Sequence, residues 1–133
     1  TELEGLETDY FAFADLDSVF DFYTPVIIAN NTFLAEEPET ARAFLDAVSR
    51  GYEFAIEHPR EAGEILCKAA PELDPDLVKA SQEYLADKYQ ADAPQWGYID
   101  QERWDAYYAW LNEKGLTETP IEAGTGCSNE YLP

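Results

Sequence analysis

The side chains that could act as nucleophiles or bases are few, apart from carboxylates. The single histidine, His58, stands between Glu57 and Pro59 at a predicted helix junction. Nucleophilic catalysis requires a nucleophile, a base beside it and a third group that orients the base. No such set can be assembled around His58, which we interpret as a surface or capping residue at a helix C-terminus. The sequence therefore predicts no catalytic residue and a protein that is not an enzyme.

Cysteines and carboxylates do not form a recognisable metal motif. Cys67 and Cys127 are isolated, whereas a zinc site requires clustered Cys and His. Asp15, Asp17 and Asp21 resemble calcium ligands only superficially, because the loop glycine and the closing glutamate of an EF-hand are missing. We expect no metal and no cofactor. Cys67 lies on an apolar helix face, which is typical of a buried thiol. The sequence does not decide whether Cys67 and Cys127 form a disulfide in an oxidising compartment.

One short segment combines aromatic rings with carboxylates. It lies between two predicted strands and contains Asp17, Phe20, Asp21, Phe22 and Tyr23. Open α/β sheets bind ligands at strand ends and in crevices. There, aromatic faces can stack on a flat heterocycle, and Asp21 can accept hydrogen bonds from an amino group. These five residues are the predicted ligand-binding positions.

A second aromatic group occurs late in the chain, and its helical spacing favours a packed aromatic core over a binding site. Its members are Trp96, Tyr98, Trp104, Tyr107, Tyr108 and Trp110.

The predicted fold class is α/β, mostly helical with two short strands. Residues 9–13 and the continuous apolar run 25–29 read as strands, the second of them buried on both faces. The chain after Asn31 reads as helical. Helices are expected around 32–36, from Pro38, from Pro59, from Pro75 after an Asp74 cap, and from Asp100 to a stop at Gly115.

This set of elements is incomplete, because two strands do not make a stable sheet by themselves. We therefore expect either another chain to supply neighbouring strands or the sequence to be one portion of a larger α/β protein. The N-terminal Thr1–Glu4 is acidic and does not resemble a signal peptide. A trimmed or internal piece is the simplest interpretation of a chain without methionine.

Composition excludes several classes of partner. The 133 residues contain 8 Lys and Arg against 28 Asp and Glu, for a formal net charge of -20. Such a surface repels phosphate backbones and anionic lipid headgroups, so nucleic acids and membrane surfaces are not expected partners. A hydrophobic content of 46% is sufficient for a packed core, which argues against disorder.

A series of short motifs runs along the chain in a fixed order. They are Glu4–Phe11, Asp21–Ile28, Pro38–Leu45, Arg50–Ile56, Pro71–Asp74, Trp96-Gly97, Arg103-Trp104, Trp110-Leu111 and Ser128–Pro133. The more specific ones are the Arg-Gly-Tyr helix and the closing Asn-Glu-Tyr-Leu-Pro. Together these motifs resemble the C-terminal portion of the thiamine-precursor substrate-binding proteins of ABC importers, the NMT1/THI5-like family.

The resemblance implies a two-lobed periplasmic-binding-protein fold. Residues 1–14 would end the second lobe, residues 15–23 would form the hinge, and residues 24–133 would return a strand and helices to the first lobe. It further implies an extracytoplasmic protein, periplasmic or a cell-surface lipoprotein, that delivers a pyrimidine such as formylaminopyrimidine or hydroxymethylpyrimidine to an ABC permease in the membrane. The missing N-terminal half, or a swapped copy of the chain, would complete the sheet.

Three alternatives remain open. The first is a different ligand, riboflavin or another small heterocycle. The second is a pyrimidine-synthesis enzyme, since fungal relatives use an internal lysine and a cysteine-rich motif, although Cys67 and Cys127 form no such cluster. A third possibility is an acidic helical interaction domain with a basic partner.

Overall fold

The computed structural model describes Gly5 and residues 7–133, and its regular structure is helical. Thr1–Glu4 and Leu6, which belong to the predicted 1–14 segment, lie outside the described residues. The elements are α1 (Phe13–Leu16), a 3₁₀ helix (Ser18–Phe20), α2 (Asn31–Glu36), α3 (Pro38–Glu57), α4 (Pro59–Ala69), α5 (Pro75–Ala86) and α6 (Gln101–Glu113). Among these helices of the described chain, none is long and apolar enough to cross a membrane.

Prolines set the starts of three helices, as predicted. Pro38, Pro59 and Pro75 occupy the first turn of α3, α4 and α5, where a missing backbone N–H costs nothing. His58 forms the junction between α3 and α4, and its backbone N–H donates to the Phe54 carbonyl at 2.8 Å. The interpretation of His58 as a residue of a helix junction is confirmed.

Aspartates cap the last two helices. The Asp74 carboxylate accepts hydrogen bonds from the backbone N–H groups of Asp76 and Leu77 at 2.9 and 3.0 Å. The Asp100 carboxylate accepts one from the Arg103 N–H at 2.8 Å. Each bond satisfies a donor that the first helical turn leaves without a partner. The predicted starts of α5 and α6 are confirmed.

The two predicted strands are not observed within the described residues. Residues 9–12 have no regular structure, Phe13 begins α1, and residues 26–30 are irregular. Val26, Ile27 and Ile28 are 43%, 52% and 87% exposed, so the run predicted to be buried on both faces is open to solvent. A strand needs a neighbouring backbone to complete its ladder, and none is paired with it here. The mostly helical character holds, whereas the strand assignments do not.

The chain divides into two compact units. The first contains the described residues up to Phe33 together with Ile99–Glu130, and the second contains Leu34–Tyr98 with Tyr131–Pro133. In the second unit α3, α4 and α5 pack on one another. Gly63 on α4 faces α5, and a Cβ at this position would lie 3.6 Å from the Val78 side chain, an ordinary van der Waals contact.

Few side chains are fully buried, which differs from the expected packed core. Within the part of the chain that the structure describes, Ala41 and Ala86 are the buried hydrophobic residues, and Ser49 is the buried polar one. Cys67, expected to be buried, is only partly covered, and both cysteine thiols are free. The amphipathic faces therefore hold the helices together mainly through half-exposed contacts.

The segment after α6 is irregular but ordered, as predicted, because polar side chains of α6 bind its backbone. Asn112 bonds both the N–H and the carbonyl of Ile121, at 3.0 and 2.8 Å. The Trp104 indole N–H donates to the Thr125 carbonyl at 3.0 Å. Gly115, with φ of +66°, ends the helix. The tail is thereby fixed along the helix that carries the aromatic residues.

Cys127 lies in this tail, and its thiol donates to the Gln101 side-chain oxygen at 3.4 Å. Burial raises the pKa of the Cys127 thiol, and the nearby Asp105 carboxylate raises it further. The net direction is upward, because a less hydrated environment and a like charge both disfavour the thiolate.

Two glycines provide an opposed pair of stability predictions. Gly126 has φ of +85°, and a Cβ there would lie 3.3 Å from the Trp104 indole nitrogen, so Gly126→Ala should lower the free energy of unfolding by about 1–2 kcal/mol. Gly51 lies within α3, and its Cβ would contact nothing within 4 Å, so Gly51→Ala should raise it by about 0.5–1 kcal/mol. Urea unfolding followed by circular dichroism measures both. If both variants changed the free energy of unfolding equally and in the same direction, the packing of Gly126 against Trp104 would be contradicted.

The raised pKa of Cys127 predicts how its alkylation depends on pH. Only the thiolate reacts, so in a Cys67→Ser background the midpoint of the rate profile should lie at higher pH in the folded chain than in urea. Coincident folded and unfolded midpoints would refute the predicted environment of the thiol.

Candidate functional site

The first predicted site residue, Asp17, is a capping residue of the backbone. Its carboxylate accepts a hydrogen bond from the Val19 N–H at 3.1 Å and caps the 3₁₀ helix. That short helix turns the chain so that the side chains of residues 20–23 meet α6 in the same unit. Asp17 therefore sets the course of the segment, and its carboxylate is engaged locally.

Phe20 and Phe22 both pack against aromatic rings of α6. The ring of Phe20 meets Trp110 edge to face, with centroids 5.3 Å apart. The ring of Phe22 stacks on Tyr107 with centroids 4.1 Å apart and planes within 12°. Tyr107 and Trp110 are themselves nearly parallel, at 17° and 6.2 Å. Three roughly parallel rings thus lie in sequence, a geometry that suits flat aromatic partners.

Asp21 and Tyr23 are joined to the first turn of α6 by polar contacts. The Tyr23 hydroxyl accepts a hydrogen bond from the Asp100 N–H at 2.9 Å. The Arg103 guanidinium lies 4.4 Å from the centre of the Tyr23 ring and pairs with the Asp21 carboxylate. Its Nε also donates to the Asp21 backbone carbonyl at 2.7 Å. Charge-assisted bonds of this kind are stronger than neutral ones.

We call this set the α6 aromatic cluster: Phe20, Asp21, Phe22, Tyr23, Arg103, Tyr107 and Trp110. The structure brings four of the five predicted residues into it, and Asp17 lies beside it as a cap. Three members were not predicted as site residues: Arg103, Tyr107 and Trp110. Their spacings of four and three residues place them on one helix face, and this is the sequence signal that points to them.

The cluster is partly open, so its chemistry is that of a binding surface. The side chains of Asp21 and Arg103 are 55% and 36% exposed, and the five aromatic members are half-buried. It offers stacking faces and a carboxylate acceptor, with no histidine, cysteine or serine within the set. Across Gly5 and residues 7–133, no group of His, Cys, Asp or Glu could hold a metal ion.

The expectation of one packed aromatic core is wrong in two respects. Trp96 and Tyr98 belong to the second unit, where Trp96 stacks on Tyr52 at 4.3 Å, while the α6 aromatics belong to the first. None of the α6 residues is fully buried. Helical spacing identified the α6 face correctly, but it carried no information on which residues would cover it.

Two depressions occur in the second unit, away from the predicted positions. One, of about 380 Å³, is lined by Val48, Gly51, Tyr52, Ala55 and Tyr89. The other, of about 370 Å³, is lined by Arg60, Gly63, Glu64, Cys67, Pro75, Asp76 and Lys79. Neither of these two depressions contains a member of the α6 aromatic cluster.

Comparison with known proteins connects the chain to binding proteins and to one enzyme. It is 29% identical over 124 residues to a formylaminopyrimidine-binding protein of Halalkalibacterium halodurans, covering 90% of this chain and 37% of the relative. It is 24% identical over 140 residues to the riboflavin-binding protein RibY of Chloroflexus aurantiacus, covering 98% and 38%. It is 38% identical over 116 residues to 4-amino-5-hydroxymethyl-2-methylpyrimidine phosphate synthase of Candida albicans, covering 84% and 31%.

The chain therefore spans between 31% and 38% of the length of these relatives. Residues 1–62 match the family model described as NMT1/THI5 like, and this stretch includes the whole 17–23 segment. The match confirms the resemblance that the sequence motifs indicated. Over residues 1–62 the chain is therefore similar to the NMT1/THI5-like family, and two of the relatives named above are binding proteins.

Proposed function

We propose that the chain forms part of a solute-binding protein that takes up a thiamine-precursor pyrimidine, of the formylaminopyrimidine or hydroxymethylpyrimidine type. The observation that carries this proposal is the α6 aromatic cluster, in which stacked rings lie beside an exposed carboxylate. The names of two relatives, a formylaminopyrimidine-binding and a riboflavin-binding protein, support a flat nitrogen heterocycle as ligand.

The proposed recognition uses two kinds of contact. The heterocycle would lie against the half-exposed rings of Phe20, Phe22 and Tyr23. Phe20 and Phe22 already accept aromatic neighbours in edge-on and parallel geometry, and Tyr23 lies against the Arg103 guanidinium. Asp21 would accept hydrogen bonds from an exocyclic amino group. No bond of the ligand would be broken, so the role of the site would be selection and retention.

The proposal includes the setting of the intact protein. Residues 1–14 would end one lobe, residues 15–23 would form the hinge, and residues 24–133 would return to the other lobe. Closure around the ligand would be recognised by an ABC permease in the membrane, which requires an extracytoplasmic location. The exposed run at Val26–Ile28 supports an additional neighbour, either the rest of the polypeptide or a swapped copy of this chain.

The second candidate function is pyrimidine synthesis. It is favoured by the 38% identity to the Candida albicans synthase. The α6 aromatic cluster contains no lysine or cysteine, so such an enzyme would need its reactive groups elsewhere in the polypeptide. Incubation of the intact protein with its ligands, followed by mass spectrometry, separates the two: a new pyrimidine product would favour the enzyme, and unchanged ligand the binding protein.

A substitution at the central ring of the cluster tests the binding proposal. In the intact protein, Phe22→Ala should weaken the binding of an aminopyrimidine about tenfold, because a stacked aromatic contact is lost. Isothermal titration calorimetry measures the affinity. Phe22→Leu, which retains apolar contact with Tyr107 but cannot stack, should show most of the same loss.

Phe44→Ala is the matched control, since Phe44 is a 56% exposed aromatic residue of α3 in the other unit. It should leave the affinity unchanged. Unchanged affinity in both Phe22 variants would remove this segment from the site.

A panel containing riboflavin distinguishes the ligand classes, and light scattering shows whether the chain pairs with a copy of itself. A well-folded monomer without affinity for any heterocycle would favour the acidic interaction domain.

A further inference from the structure

Arg103 makes three different contacts with the segment that precedes it by some eighty residues. Its Nε donates to the Asp21 carbonyl at 2.7 Å, and its terminal nitrogen donates to Asp21 Oδ1. Its guanidinium carbon lies 4.4 Å from the centre of the Tyr23 ring. One side chain thus fixes the backbone and the carboxylate of Asp21 and the plane of Tyr23 at the same time.

The first turn of α6 holds this arrangement from its other side. The Arg103 backbone N–H donates to the Asp100 carboxylate at 2.8 Å, and the Asp100 N–H donates to the Tyr23 hydroxyl at 2.9 Å. The guanidinium therefore extends from a capped helical turn whose orientation is defined. Because the fork of an arginine is planar, its bond to the Asp21 backbone carbonyl and its bond to Oδ1 together restrict the orientation of the carboxylate.

The local charges leave Asp21 without a second cation. The described part of this unit contains one arginine, Arg103, and one lysine, Lys114. The Lys114 ammonium pairs with Glu113 at 3.1 Å. The other oxygen of Asp21, Oδ2, accepts no hydrogen bond from the described residues, and the side chain is 55% exposed. One carboxylate oxygen is held and the other is available.

We propose that Arg103 is a positioning residue that sets the specificity of the site, by directing Asp21 Oδ2 toward the exocyclic amino group of an aminopyrimidine. This inference rests on the proposed function. An amino group donates to a carboxylate, whereas an oxo group at the same ring position presents lone pairs and is repelled. Hydrogen bonds weaken steeply as their angle departs from linearity, so discrimination depends on the direction of the carboxylate and hence on Arg103.

The test compares an aminopyrimidine with its oxo analogue, identical in the other substituents, by calorimetry on the intact protein. Arg103→Gln should lower the affinity for the aminopyrimidine about tenfold and change that for the oxo analogue less than about twofold, so the preference falls about tenfold. Arg103→Lys keeps the charge but not the fork, and should give an intermediate preference.

Arg50→Gln is the matched control, because Arg50 forms a surface pair with Asp46 at 3.2 Å in the other unit. It should leave both affinities unchanged. Circular dichroism verifies that each variant is folded, and if Arg103→Gln is not, Arg103→Lys carries the comparison. Asp21→Asn should lose the preference as well, and combining it with Arg103→Gln should add little further loss, because both changes remove one interaction.

Equal losses for both pyrimidines in the Arg103 variants would assign Arg103 a purely structural role and overturn the inference. If the Arg103 variants bound both pyrimidines as tightly as the unmodified protein does, the inference would also be overturned, while the proposed function would remain intact. If the unmodified protein binds neither pyrimidine, the proposed function itself fails and the inference with it. The two failures are therefore distinguished by the behaviour of the unmodified protein.

Discussion

The packing of residues 18–23 against one face of α6 is the interaction on which the first unit depends. Residues 34–98 of the second unit separate them from α6 in sequence, and within the described part of the chain no sheet pairing holds them. Edge-to-face and parallel ring contacts supply apolar burial, and the Arg103 contacts with Asp21 and Tyr23 supply direction. Without this packing, the 3₁₀ helix and the candidate ligand-binding residues would have no fixed relation to the helix.

Polar side chains of the same helix hold the tail in place. Asn112, Trp104 and Asp105 each bond backbone groups of residues 121–125, so an irregular segment satisfies its polar groups without forming a helix or a strand. α6 therefore carries two functions along its length. Its aromatic residues and Arg103 contact residues 18–23. Its amide, carboxylate and indole groups bond the backbone of residues 121–125, which follow α6.

An acidic surface constrains what such a site can select. With 28 acidic residues against 8 basic ones, the chain has few cations available to neutralise a carboxylate near a ligand. In the proposed site, Arg103 pairs with Asp21, and the ligand would meet aromatic faces and the free oxygen of the Asp21 carboxylate. Such a site suits a neutral, amino-bearing ring better than a phosphate or a nucleic acid. Selectivity in the proposed function thus arises from one ion pair and the rings beside it.

The amino-acid sequence determined where α3, α4, α5 and α6 begin and where α6 ends, because prolines at first positions, Asp74 and Asp100 as caps, and Gly115 as a stop act within a few residues of where they stand. It also identified residues 20–23 as a candidate surface. Only the tertiary structure decided that Arg103, Tyr107 and Trp110 are their partners, that Asp17 is a cap, and that Trp96 belongs to another unit. The strands at 9–13 and 25–29 were predicted from local apolar pattern. A strand, however, exists only as a pair of hydrogen-bonded backbones, and a partner is a property of the tertiary structure that no local pattern contains.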